Sequence, residues 1–317
     1  MVRGRPRVAR ARAHPESGEV PAERGRTRVS QVRAALAREL RARVAGDDAA
    51  ERARRIWGSE GERWFSPDDP VWRVHADASM FVGGIRALLL QSLHPLAMAG
   101  VAGHSGYRAD PWGRLQRTSH YLATTTFGTV DDAEAAIAAV RAVHERVRGR
   151  ADDGRPYAAN DPHLLTWVHL AEVDSFLETY RRHGPDPLTR AEQDRYVEQA
   201  GVAAARLGVP HPPRSVAELD AGLAAYRPEL RATPAARDAA RFLLLQPPLP
   251  LAARPGYGAL AAAAVASLPV WARRHLRLPV LPVTERLVVK ALGDAATGVV
   301  RWAMSDPEVA TARRPAS

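Results

Sequence analysis

Residues 131–149 have the sequence DDAEAAIAAVRAVHERVRG, and the apolar positions within it indicate the kind of fold that surrounds them. Apolar residues at steps of three and four lie on one face of a predicted amphipathic helix: Ala133, Ile137, Val140 and Val147. His144 continues that face. An imidazole on the inner side of a helix must find a hydrogen-bond partner, bind a metal, or stay neutral at a cost in desolvation. The surroundings of His144 therefore decide its role.

A second helix is predicted immediately upstream. The Asp-Pro pair at 110–111 is a helix start, with the aspartate as N-cap and the proline in the first helical position. Arg114, Arg117 and Thr118 follow within about one turn of each other. Thr129 is then expected to cap the helix that carries His144.

A third helix is predicted downstream. The His144 helix should end near Gly149, and a second Asp-Pro pair at 161–162 repeats the start signal. His169, Glu172 and Phe176 recur at steps of three and four on the inner face of this third helix. Two helices joined by a loop of about a dozen residues are expected to be antiparallel neighbours with facing inner sides.

The most apolar segment of the chain is residues 74–105, VHADASMFVGGIRALLLQSLHPLAMAGVAGHS. It is too long for a strand and has no β-branched alternation, so it predicts a central helix kinked at Pro95. Gly83 and Gly84 each cost about 1 kcal/mol in a helix relative to alanine. Close approach of a crossing helix or of a flat ligand would explain them, and both explanations remain open.

Helical periodicity continues through the rest of the chain, without a convincing strand or an internal repeat. Residues 29–305 are therefore expected to form one all-α domain, a single helical bundle. Residues 1–28 hold eight arginines, three glutamates and few large apolar side chains, which predicts a disordered basic arm. Residues 306–317 are expected to be a flexible tail.

Composition narrows the possible functions. A chain of 317 residues with 46% hydrophobic content can bury a sizeable core, and the absence of cysteine excludes disulfides, thiolate metal sites and iron–sulfur clusters. The net charge of +10 comes largely from arginine, since Lys290 is the only lysine. No specific nucleic-acid partner is predicted, and contact with a membrane surface is conceivable for residues 255–280 but not predicted. Without a secretory signal pattern, a cytoplasmic location is expected.

The common nucleotide-binding, zinc-protease and serine-hydrolase motifs are absent. What remains is a set of polar residues expected on inner helix faces: His94, Arg114, Arg117, Thr118, Arg141, His144 and His169. Seen alone, His144 is either a hydrogen-bonded core histidine or a ligand. Arg141, three residues earlier, would need an anionic partner if half-buried, and either a carboxylate of the bundle or a cofactor propionate would serve. A cysteine-free bundle with an inward histidine can hold haem.

Three short motifs in order resemble the latex-clearing protein (rubber oxygenase) family and its relatives, the MpaB-type oxygenases. They are Arg114-Leu-Gln-Arg117-Thr118, Arg141-Ala-Val-His144 and Trp167-Val-His169. The segments GGIRALLLQSLHP and YAANDPHLLTWVH are similar to the MpaB-type branch in particular. The likeness spans roughly residues 70–185.

This resemblance implies a globin-like helical bundle around one haem b, and oxidation of a hydrophobic, isoprenoid or lipid-like small molecule by O₂. His144 matches the proximal haem ligand and is the implied metal ligand. Arg141 is its companion in the same motif, and His169 supports the cofactor from nearby. The resemblance assigns Arg114, Arg117 and Thr118 to the catalytic, distal side, where Arg117 and Thr118 would polarise dioxygen. Apolar walls for the substrate are expected from Phe81, Leu88 and Met98.

Two departures from the family pattern matter. Arg117 replaces a lysine that can ligate iron, and arginine stays protonated, so a reversible distal cap is not expected. The rubber oxygenases also have an upstream glutamate as base, whereas His104 is the nearest titratable residue here. Two alternatives remain open: a haem-binding or gas-sensing protein without turnover, and a non-haem metal-binding hydrolase that uses His94, His104, His144 and His169. A helical DNA-binding protein is a more distant third.

Overall fold

The helical periodicity of the sequence becomes a bundle of helices in the computed structural model, which describes residues 21–46, 48–104 and 108–305. The helices are α1 Pro21–Ala45, α2 Ala49–Gly58, α3 Pro70–Ala76, α4 Ser79–Gln91, α5 Pro95–His104, α6 Pro111–Phe127, α7 Val130–His144, α8 Pro162–His183, α9 Arg190–Leu207, α10 Val216–Tyr226, α11 Pro234–Leu245, α12 Arg254–Ser267, α13 Val270–Leu276, α14 Pro282–Thr284 and α15 Lys290–Met304. The fold is all-α, as the sequence predicts. Its globin-like character stays a prediction.

Most of the predicted arm and the whole predicted tail lie outside the described residues. Residues 1–20 and 306–317 are not covered, so disorder in them stays a prediction. Helix α1 already begins at Pro21, within the segment assigned to the arm.

The predicted helix starts are confirmed by their caps. The Asp110 carboxylate accepts a hydrogen bond from the Gly113 N–H at 2.8 Å, and the Asp161 carboxylate accepts one from the His163 N–H at 2.9 Å. The Thr129 hydroxyl accepts from the N–H of the third residue of α7 at 3.2 Å. These side chains satisfy donors that the first helical turn leaves unpaired.

Helix α4 packs along α8, and this pair forms the centre of the core. A Cβ at Gly83 would stand 2.7 Å from Phe176 Cδ1 and 2.8 Å from Thr179 Oγ1 of α8. The crossing helix is therefore the reason for glycine at this position. Arg86, one turn further, is buried and pairs with Asp174 of α8 at 2.7 Å.

The predicted kink at Pro95 is a complete break: α4 and α5 meet at an angle of 108°. Along the described chain, no single helix has both the length and the apolar composition to cross a membrane. In two cases, two consecutive helices reach that length and composition when they are counted as one segment, but each pair is sharply bent. The first pair is α4 with α5, and the second is Leu251–Ser267 with α13, bent by 117°.

Helices α6 and α7 are joined at Gly128 and Thr129 and pack against each other. The prediction that α7 continues to near Gly149 is wrong, because the helix ends at His144. A short hairpin of two antiparallel strands, β1 Arg148–Arg150 and β2 Pro156–Ala158, follows it. The expected facing of α7 with α8 is also not found, since α7 packs mainly against α6 and α9. The hairpin carries the chain away before α8 begins.

The last helices close the bundle against its first half. Helix α15 follows a π-helical turn at Glu285–Val289 and packs on α12. Its Arg301 guanidinium donates to both carboxylate oxygens of the buried Asp77, between α3 and α4, at 2.8 and 3.1 Å. One residue pair thus joins chain segments that are 224 residues apart.

Candidate functional site

His144 lies at the C-terminal end of α7, on the face that also carries the buried Ala133 and Ile137. Its side chain is half-buried, and burial lowers its pKa, so the ring is neutral at pH 7. Among the residues that the structure describes, neither ring nitrogen of His144 has a hydrogen-bond partner. A neutral imidazole with a free lone pair is the form that binds a metal.

Helix α6 packs against α7, and its first half carries Arg114, Arg117 and Thr118. Burial, and then the neighbouring Arg117, lower the pKa of Arg114. Arg117 is exposed and pairs with Asp110 at 3.2 Å. The exposed Thr118 hydroxyl donates to the Arg114 carbonyl at 3.0 Å.

Arg141 occupies the last turn of α7 and is exposed. Only a half-buried Arg141 would need an anionic partner inside the bundle, and the exposed side chain does not. Arg141 is thus a solvent-facing cation in the last turn of α7, three residues before His144.

His169 is on the inner face of α8, as its spacing predicts. The side chain is buried, and its Nε2 atom has no hydrogen-bond partner in the described part of the chain. Burial lowers the pKa of His169 to about 4. An uncharged ring with an unsatisfied nitrogen is costly in a core unless something else occupies the space beside it.

Glu172 on α8 and Tyr121 on α6 are titratable groups within electrostatic reach of each other. Burial raises the pKa of Glu172, one turn beyond His169, to about 7, although part of the side chain remains accessible. Burial, and then the nearby Glu172 carboxylate, raise the pKa of Tyr121 on α6. Both side chains are deep in the fold yet not fully covered.

A buried polar group of His75, Thr126 and Tyr196 lies within electrostatic reach of Glu172. His75 Nδ1 lies 2.8 Å from the Thr126 hydroxyl, and His75 Nε2 lies 3.4 Å from the Tyr196 hydroxyl. Burial lowers the pKa of His75 to about 4, so this ring is neutral as well. Burial and then Glu172 raise the pKa of Tyr196, so Glu172 lies within electrostatic reach of this group.

Comparison with known proteins gives one family. Residues 72–302 match the model of the catalytic domain described as ER-bound oxygenase mpaB/B′/Rubber oxygenase. The chain belongs to this oxygenase family. The match contains every candidate residue above and begins after α2. No curated protein and no solved structure matches the chain.

Within this oxygenase domain, Glu172 is a functional candidate to which the sequence alone assigned no role. It stands on the same stripe of α8 as His169, three residues later, and that spacing was the available signal. The upstream region, where the family resemblance leads one to expect a glutamate, has His104, which contacts the Tyr157 hydroxyl at 3.4 Å. Glu172 enters the interior from a different helix.

The four histidines of the non-haem alternative do not form the metal-ligating cluster that the structure contains. Among the described residues, the ligand atoms that come within 4.8 Å of one another belong to His94, His163 and Glu229. His94 is the only one of the four proposed histidines in this cluster. The pattern of the sequence did not single out His163 or Glu229, because their approach depends on the folding of distant segments.

Proposed function

We propose that the chain is a haem b-dependent oxygenase that oxidises a hydrophobic small molecule with O₂, and that His144 holds the iron. The observation that carries this proposal is the neutral, partly accessible His144 ring without a hydrogen-bond partner among the described residues, in a chain of an oxygenase family. Isoprenoid and lipid-like molecules are the substrate class to test first.

The residues around His144 fit a haem. The imidazole supplies a neutral nitrogen, which is the usual axial donor for haem iron. Arg114 and Arg117 on α6 and Arg141 on α7 supply guanidinium groups, which suit the two propionates of a haem. His169 offers a buried, unsatisfied Nε2 for support within the same interior.

Bound haem would supply the redox chemistry with which dioxygen is activated. The chain itself contributes proton handling and exclusion of water. The Glu172 carboxyl, with a pKa of about 7, can hold or release a proton near neutral pH. Met98 is buried, whereas Leu88 is exposed and does not form the apolar wall expected from the sequence.

The test is the visible absorption of protein purified from haem-supplemented cells, with a pyridine haemochrome assay. We expect a Soret band and one haem b per chain. His144→Ala should lose the haem while its far-UV circular dichroism is unchanged. His211→Ala, an exposed histidine in the loop after α9, is the matched control and should keep full occupancy.

A colourless wild-type protein that does not take up added haemin would contradict the cofactor assignment. Full haem occupancy with an unchanged spectrum in His144→Ala would contradict the ligand assignment. If haem binds, oxygen uptake with apolar candidate substrates tests turnover. Haem binding without uptake for any of them would favour the gas-sensing alternative.

A further inference from the structure

Two histidines and a glutamate from separate segments meet at one point. His94 lies in the break between α4 and α5, His163 in the first turn of α8, and Glu229 ends the 3-10 turn after α10. Glu229 Oε2 is 3.3 Å from His94 Nε2 and 2.9 Å from His163 Nε2. Ligands that bind one ion at about 2.1 Å, with bonds meeting at about 90° to 110°, stand about 3 to 3.4 Å apart. Both separations from Glu229 match that geometry, and the ligand atoms of the two histidines lie within 4.8 Å of each other.

The hydrogen bonds of His163 direct a lone pair at the carboxylate. The Tyr226 hydroxyl donates its only proton to the His163 carbonyl at 2.8 Å. The same oxygen lies 3.1 Å from His163 Nδ1, so it accepts the proton of that nitrogen. In the neutral ring, Nε2 then has a lone pair that faces the Glu229 oxygens. Two acceptors are stable at 2.9 Å only with a proton or a metal ion between them.

His94 contributes a nitrogen from the interior, since its side chain is only 1% exposed. Its Nδ1 lies 3.4 Å from the Ala97 N–H, which is long for a hydrogen bond. In the metal-free ring this contact leaves the proton on Nε2, facing Glu229. Metal binding at Nε2 moves that proton to Nδ1 and gives up the weak Ala97 contact.

The three side chains are held by their backbones before any ion binds. The Asp161 cap accepts from the His163 N–H and fixes the first turn of α8. The Arg231 N–H donates to the Leu93 carbonyl at 2.9 Å, and so ties the chain after Glu229 to the residue before His94. The Tyr226 hydroxyl orients the His163 ring from behind, as outer partners of metal ligands do. Such a site loses little entropy when it binds an ion.

We propose that His94, His163 and Glu229 bind one divalent first-row transition-metal ion, of the iron(II) or zinc class, at a site separate from that of His144. Two imidazoles with one carboxylate suit these ions, whereas magnesium and calcium require mainly oxygen ligands. The side chains of His163 and Glu229 are 50% and 42% exposed, so water can complete the coordination. The bound ion joins the α4–α5 break, the start of α8 and the end of α10.

The test is isothermal titration of full-length, chelator-treated protein without a histidine tag, with Zn²⁺ and with Co²⁺ as a spectroscopic probe. We expect one ion per chain, cobalt absorption bands typical of nitrogen and oxygen ligands, and a higher melting temperature with Zn²⁺. His163→Ala and Glu229→Gln, both at accessible side chains, should abolish stoichiometric binding. Tyr226→Phe should weaken it about tenfold to 100-fold.

His104→Ala is the matched control, because His104 also lies 3.4 Å from a tyrosine hydroxyl but is not one of the three clustered residues. It should bind as wild type does. Absence of binding at ~100 µM metal would overturn the proposal, as would equal affinity in His163→Ala and the wild type. A His163 Nε2 that stays protonated at pH 7 in excess Zn²⁺, observed by ¹⁵N NMR, would also overturn it and show a simple imidazolium–carboxylate pair.

Discussion

Three uncharged groups define the interior chemistry at the scale of single residues. His75 and His169 have pKa values lowered to about 4 by burial, and Glu172 has one raised to about 7. Desolvation disfavours the charged form in each case, which raises the pKa of an acid and lowers that of a base. Near neutral pH, Glu172 is therefore the member of this group that changes charge.

Glu172 makes stability dependent on pH. Its folded pKa of about 7 lies above the ordinary value of 4.5, so the folded state binds the proton more tightly. The associated stability is fully present below pH 4.5 and is lost as the pH rises to 7. The free energy of unfolding of Glu172→Gln should therefore be compared with that of the wild type at two pH values. Between pH 4 and pH 8 the difference should shift in favour of the variant by up to about 3 kcal/mol. Urea denaturation at both pH values measures the gain.

The control for this experiment is Glu60→Gln, at an exposed position in the turn after α2. Its stability difference from the wild type should not change between the two pH values. Titration of His75 and His169 near pH 4 is common to all three proteins and cancels. An equal difference at pH 4 and pH 8 for Glu172→Gln would show that the carboxyl is solvated rather than buried.

The sequence predicted which faces carry the candidate residues better than it predicted their partners. His144 and His169 were expected on inner faces, and periodicity is sufficient for that because it reports which side of a helix is apolar. Arg141 is on the same helix as His144 but points outward, since a step of three residues moves a side chain about 300° around the axis. A residue at that step is buried only if the apolar face of the helix is wide enough to include it.

At the scale of elements, adjacent glycines in α4 provide a matched pair. Gly83→Ala should destabilise the fold by about 1 to 3 kcal/mol, because the new methyl overlaps Phe176 and Thr179 of α8. Gly84→Ala meets nothing within 4 Å and should stabilise it by about 0.5 to 1 kcal/mol through helix propensity. Thermal unfolding of both variants measures the difference. Equal effects would show that α4 and α8 do not approach as closely as described.

Element boundaries were predictable where a local signal fixes them. The aspartates at 110 and 161 and Thr129 cap their helices because the signal lies within three residues of the cap. Ser215 likewise caps α10 by accepting from the Glu218 N–H, and the Glu218 carboxylate accepts from the Arg214 N–H. The β1–β2 hairpin was missed because strands of three residues have too few positions for a period of two to be recognised.

At the scale of the whole molecule, the Arg301–Asp77 pair joins the two ends of the bundle. Burial alone would raise the pKa of Asp77, but hydrogen bonds from Arg301 and Ser79 bring it below its ordinary value. Arg301→Met should destabilise the protein by about 3 kcal/mol at pH 7, since it leaves a buried carboxylate without its partner. Adding Asp77→Asn should recover part of that loss. Urea denaturation of the two single variants and the double variant gives the coupling energy, and additive losses would contradict the pairing.

The separation of Asp77 and Arg301 along the chain also has a consequence for biosynthesis. At about 5 to 20 residues per second, the ribosome adds Arg301 roughly 10 to 45 seconds after Asp77. During that interval the α3–α4 junction of the nascent chain contains a carboxylate whose partner does not yet exist. The core around α4 therefore reaches its full stability only after translation is almost complete, and a chain that stops before α15 leaves the Asp77 carboxylate without its partner.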